Sequence, residues 1–432
     1  MQLRGRVPVA RTSSVTPGVS GPAAGLSVPC LLAGALAGCL LAAGCGARTA
    51  AAPSHVSAGP PTPAPGQQSA GLASSAGAQF DPIAASFVTP GTGWVLGDTG
   101  WAPGAAACPG CAGLLHTSDG GRSWRALPAP PAPVGANDSP AGAITNVAFA
   151  NAEDGFLYGP ALLSSHNGGR SWARVQLPPV QELVLGRGYA YAVTGAPFTP
   201  ATGLWRADVG SSRWTRLRLP ADLQHPMAGE NWGGLQLEAD GTTLALLQRG
   251  ETGAGDTTAT VGRLWVSADG GTSWHDRPMP CRAAVDGGAD VMTTGLGHPD
   301  AWLLDCFDNE QSSQEQDTQH HLYGSANAGL SWVRLPDPTA HNEPDLLADN
   351  GAGHAFLATE GVFDYLVGTF DGGLHWQVLV KSGGSFSGWA DLGFVTTDIG
   401  FVTGPANLYD SVAPDHVYRT DDGGRTWQAM RL

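Results

Sequence analysis

One short string limits this chain more than any other feature. Thr117-Ser118-Asp119-Gly120-Gly121-Arg122-Ser123-Trp124 recurs at 165–172, 267–274, 325–332, 369–376 and 420–427. All six copies fit Ser/Thr-x-Asp/Asn-x-Gly-x-(Ser/Thr/His)-Trp. Their anchors are Asp119 and Trp124, Asn167 and Trp172, Asp269 and Trp274, Asn327 and Trp332, Asp371 and Trp376, and Asp422 and Trp427. A degenerate seventh copy runs from Ala207 to Trp214, with one extra residue before the Trp. The physics is that of a tight hairpin. The Asp or Asn side chain accepts backbone N–H bonds inside the turn, Gly at the fifth position supplies positive φ, and the hydroxyls satisfy remaining backbone groups.

A second pattern precedes some of these turns. Phe87, Phe149 and Phe394 each stand six residues before Gly93-Trp94, Gly155-Phe156 and Gly400-Phe401. Apolar residues alternate on both flanks, which predicts a two-stranded hairpin. One repeat is therefore strand A, tight turn, strand B, variable loop, strand C, box turn, strand D. Strand D often ends in Leu-Pro, as at Leu127-Pro128, Leu177-Pro178, Leu219-Pro220 and Leu335-Pro336. The Trp positions are 42 to 60 residues apart, about one four-stranded propeller blade each. The expectation is an all-β, seven-bladed β-propeller over 80–432, with six blades left open by the degenerate copy. A linear β-solenoid fits less well, because its coils are shorter and more regular.

These residues resemble the Asp-box, or bacterial neuraminidase repeat, family. The Phe-x5-Gly-Phe/Trp head joined to the box is most similar to photosystem II assembly-factor-like propellers and, beside them, sialidase-like ones. The resemblance implies the propeller fold. It implies little about activity, because the box is a structural turn and function on such scaffolds sits elsewhere.

The first 79 residues read as an address and a tether. Arg4, Arg6 and Arg11 precede an apolar run from Leu26 to Cys45, the pattern of a secretory signal. Its end resembles a bacterial lipobox. Cys45 is the favoured lipidated residue because the apolar run ends there; Cys39, in Leu36-Ala37-Gly38-Cys39, is the alternative frame. An uncleaved anchor also stays open, since the run is 20 residues long. The division is then 1–45 lipoprotein signal, 46–79 a disordered Ala/Pro/Gly/Ser linker, and 80–432 the propeller. Such a linker cannot bury enough apolar surface to order itself. The protein is expected on the extracytoplasmic side of a bacterial cell membrane, held there by lipid, as a monomer.

Function is less legible. A formal charge of −15 with a single Lys argues against nucleic acid. The box turns and the short A–B turns at 151–154, 186–188 and 396–398 belong to one face. Long segments belong to the other: 98–112, 129–142, 196–203, 220–232, 249–261, 305–321, 336–346 and 404–416. That loop face carries Trp101, Trp232, Trp389, Asp305 and Asp308 as candidate ligand residues; the competing view is that the acids are solvated and the indoles fill gaps between blades. His320-His321 beside Asp317 lacks zinc spacing. Calcium in an acidic loop is the only cofactor left open, without an EF-hand pattern. Export makes disulfides the default, and Cys108–Cys111 and Cys281–Cys306 are the expected pairs.

Two functions compete. The first is a non-catalytic binding or scaffold module for a protein or glycan. The alternative is a sialidase-like glycoside hydrolase. The resemblance would require an Arg-Ile-Pro-like motif in the first blade, three converging Arg and a Tyr-Glu pair; the only early Arg-x-Pro is Arg6-Val7-Pro8, in the signal. Many other arginines (Arg122, Arg125, Arg170, Arg174, Arg425) lie in or after box turns. No catalytic residue is assigned, although a carboxylate pair acting on another glycan stays open.

Overall fold

The computed structural model describes residues 79–101, 111–135, 142–195, 201–224, 235–249, 262–282, 288–295, 298–312, 315–338, 342–361, 363–381, 388–404 and 416–432. The signal, the linker and both candidate lipidated cysteines lie outside the described residues. Within them stand seven sheets, each of four strands in sequence order. All neighbouring strands are antiparallel. The first blade comprises strand A (Gln79–Phe87), B (Gly93–Trp101), C (Ala112–Thr117) and D (Arg125–Ala126). The other six cover 146–174, 180–217, 235–277, 288–334, 343–381 and 390–429. The degenerate third box is a true blade, so the count is seven. Among the described residues the only helical segment is a single 3-10 turn, Ala221–Gln224. No helix there is long and apolar enough to cross a membrane.

Each strand A touches strand A of the next blade, and the seventh touches the first, so the ring closes. Among the described residues no sheet borrows a strand from the other end of the chain. Closure rests on face packing. Phe401 of blade seven stacks on Phe87 of blade one, with ring centroids 3.4 Å apart, and Arg419 Nη1 donates to Pro90 O at 2.8 Å.

The box turns explain the motif residue by residue. Thr117 Oγ1 accepts the Gly121 N–H at 2.8 Å. Asp119 accepts Ser123 N–H at 2.9 Å through Oδ1 and Ser123 Oγ–H at 2.6 Å through Oδ2. Asn167 and Asn327 keep the backbone bond, to Ser171 and Ser331, and turn their amide N–H to the serine hydroxyl. The fifth position has φ between 75° and 91° in all six boxes, as expected. The fourth is also left-handed, which the motif reading missed: Gly120 is at 74° and Ala328, a rare non-glycine, at 54°. The fourth-position N–H then donates to the A–B turn of its own blade, as Gly120 does to Gly91 O and Gly423 to Asp398 O. Box turns and A–B turns therefore share one face.

The Phe-x5-Gly spacing is a cross-strand pair. Phe87 faces Gly93, Phe149 faces Gly155 and Phe394 faces Gly400. The phenyl ring lies flat over each glycine; a Cβ on Gly93 would come within 2.2 Å of Phe87. The same rings meet the box indole of their own blade edge-on, as Phe87 does Trp124 at 6.2 Å, and pack on strand B of the blade before: Phe149 stacks on Trp94 at 3.6 Å, whereas Phe394 is tilted by 33° against Phe356.

Candidate functional site

The loop-face expectations divide. Trp389 is a core residue: it is 1% exposed, its Nε1 donates to Thr359 O at 3.2 Å, and its ring sits on Gly404. Asp305 is fully buried and bonds His320 Nδ1 at 2.7 Å. Both were expected on a ligand face, and both instead fill seams between blades. Trp232 and Cys108 lie outside the described residues, as do the side chains of Trp101 and Asp308. Cys281–Cys306 forms as expected, with Cα atoms 5.5 Å apart, and ties blade four to blade five.

Segment 305–321 is not a loop. Blade five has a B strand of 15 residues (His298–Ser312) and a C strand of 11 (Glu315–Ser325), paired up to Ser312 and Glu315. Strand A stops pairing at Phe307. Five further residues on each arm therefore form a two-stranded ribbon, reaching about 17 Å past the sheet on the loop face. His320 and His321 sit on this C strand and point opposite ways. His320 contacts Asp305 and Asn342 O, at 2.7 and 2.8 Å; His321 contacts Arg334 at 2.6 Å. Both ring nitrogens of the buried His320 have an acceptor within hydrogen-bond distance. Among the described residues no cluster of three metal-binding side chains occurs.

The axis of the ring is the second feature of this face. Four polar side chains on inner strands each accept a backbone N–H from the inner strand of the following blade. Ser86 takes Phe149 N at 2.9 Å, Glu182 takes Leu237 N at 2.7 Å, Gln236 takes Met292 N at 2.8 Å, and Asp391 takes Ala85 N at 2.7 Å. A similar belt runs nearer the box face. There the fourth-position carbonyl of a box accepts a donor from the blade before: Gly168 from Trp94, Ala328 from Arg277 and Gly120 from Arg419. Both belts escaped the sequence reading. On a period-two strand, a polar side chain facing a neighbouring blade looks the same as one facing water.

Glu182 lies toward the loop-face mouth of the axis. Its side chain is half-buried. Burial and the neighbouring Glu238 push its carboxyl up to about 8. Burial, then Asp391 and Glu182, push the Tyr158 phenol well above its ordinary range.

No protein-family model matches the chain, and no curated protein does. Solved structures do. One, described as YCF48 bound to D1 peptide, has a TM-score of 0.49 at 18% identity, over 75% of this chain and 90% of that one. YCF48 from Cyanidioschyzon merolae gives 0.49 at 16%, over 76% and 96%. The GH74 xyloglucanase from Xanthomonas campestris gives 0.30 at 13%, over 82% and 73%. At such values the likeness extends to the fold at most, which the seven sheets establish on their own.

Proposed function

We propose that this chain is a non-catalytic binding or scaffold propeller that holds a protein or glycan partner on its loop face. In this reading it is tethered outside a bacterial cell membrane through a lipid on Cys45, with Cys39 as the alternative. The observation that carries the reading is the contrast between the two faces. The box face and the axis are committed to hydrogen bonds that hold blades together, including the carboxyls of Glu182 and Asp391. The loop face instead bears a ribbon that adds nothing to its own sheet. A two-stranded ribbon is marginal on its own, and a contact with a partner gives it a use.

The test is capture from membranes by the lipidated protein, beside the same protein with 308–319 replaced by a two-residue turn. Loss of the captured species with an unchanged melting temperature supports the reading; identical capture removes the ribbon from it. Lipid attachment is tested by intact mass of wild type, Cys45→Ser and Cys39→Ser. Glycoside hydrolysis is the second reading: burial and Glu238 push the Glu182 carboxyl up, so an acid and a second carboxyl share the seam between blades three and four. Turnover of a glycan that is lost in Glu238→Gln would put that reading first.

A further inference from the structure

Glu182 stands on strand A of blade three (Val180–Gly186) and faces strand A of blade four (Leu235–Asp240). Its Oε2 takes the Leu237 N–H across the seam at 2.7 Å. The next residue on that strand is Glu238, whose Oε1 accepts an N–H from Gln236 Nε2 at 3.1 Å. Gln236 is itself fixed to blade five, donating to Met292 O at 2.6 Å and accepting Met292 N–H at 2.8 Å. Glu238 is thus held by a residue that cannot easily move. The other groups acting here are Arg249, after strand B of blade four, and Tyr158 and Asp391 from blades two and seven. Arg249 is the only cation among them, and its effect on Glu182 is the smallest of the four that act on it.

We propose that Glu182 is a proton-controlled latch on the seam between blades three and four. Protonated, it sits beside Glu238 and holds Leu237. Ionised, it places a second negative charge near that of Glu238, which Gln236 holds in place, and the seam loosens there. The Leu237 bond favours the ionised form but does not outweigh burial and Glu238. The sign follows. The folded value, about 8, is above the ordinary 4.5. The folded protein therefore holds this proton over a window in which the unfolded chain releases it. Stability falls as pH rises through that window, and this group adds no slope below 4.5 or above 8.

The experiment follows melting temperature and hydrogen exchange at the Leu237 amide from pH 5 to 9, the exchange corrected for its intrinsic pH dependence. In wild type, protection at Leu237 should fall by about tenfold or more across the range. In Glu182→Gln, which cannot ionise, it should stay flat, and the melting temperature should lose part of its decline. In Glu238→Gln the midpoint of the change should move to lower pH, which keeps the test open should Glu182→Gln fold poorly. Equal slopes in wild type and Glu182→Gln, or a midpoint unmoved in Glu238→Gln, overturn the latch. None of these readouts depends on a partner, so the latch can fail while the binding function stands.

Discussion

Phe401 lies face to face with Phe87, with ring centroids 3.4 Å apart, although 314 residues of chain separate them. This contact joins the last blade to the first, where no shared strand does so. Phe401 is 4% exposed. Phe401→Ala should therefore remove both a buried ring and much of the closure, costing about 3–5 kcal/mol. Urea unfolding checks it. Because a closed ring shares its strain, the loss should shift the whole transition and leave no early step confined to blade seven. A loss under about 1 kcal/mol would mean that closure rests elsewhere.

Two glycines in strands offer opposite outcomes. A Cβ on Gly93 would come within 2.2 Å of the Phe87 ring, whereas a Cβ on Gly393 meets nothing within 4 Å. Neither has the positive φ that would add strain of its own. Gly93→Ala should destabilise by about 1–3 kcal/mol through overpacking. Gly393→Ala should be neutral or stabilise by up to about 1 kcal/mol, because it restricts the unfolded chain. Melting curves of the two variants decide, and a common sign would refute the ring-over-glycine account.

Ala328 occupies the fourth box position at φ 54°, where the other five boxes have glycine at 69° to 74°. Its backbone already makes the expected bonds, N–H to Asp300 O at 2.9 Å and O from Arg277 Nε at 3.0 Å. Ala328→Gly keeps both and removes the Cβ clash of a left-handed residue. It should stabilise by about 0.5–1 kcal/mol after the entropy of the freer unfolded chain is deducted. A lower melting temperature would show that Ala328 contributes more by packing beside Trp332 than it costs in conformation.

What was legible in the chain follows from where repetition lies. Asp119, Trp124 and their counterparts repeat because each turn must solve the same hydrogen-bonding problem, so spacing alone gave seven blades and two faces. Cys281 and Cys306 were placed correctly because the repeat put their strand ends together. Trp389 was misplaced because an indole outside the motif has no repeat to locate it. The ribbon 308–319 was read as a loop because Asp308-Asn309-Glu310-Gln311 shows no apolar alternation to mark a strand. Glu182 and Asp391 gave none either, since their partners are backbone groups of another blade.

The box carboxylates give the chain a second, acidic limit. Bonds from the Ser123 hydroxyl and N–H hold Asp119 down to about 2, against an ordinary 3.8. The same bonds from Ser273 hold Asp269 lower still, and those from His375 hold Asp371 at about 2. A folded value below the unfolded one means that these groups stabilise the fold above pH 3.8. That contribution is lost as pH falls through 2. Boxes two and five already carry Asn167 and Asn327 in the same geometry and do not titrate. The double variant Asp119→Asn, Asp269→Asn should therefore melt near wild type at pH 7, because each amide can donate to its serine hydroxyl as Asn167 does to Ser171. Under acid it should keep box indole fluorescence to a lower pH than wild type. An unchanged acid midpoint would locate acid unfolding in other carboxylates and leave the box aspartates as simple turn formers.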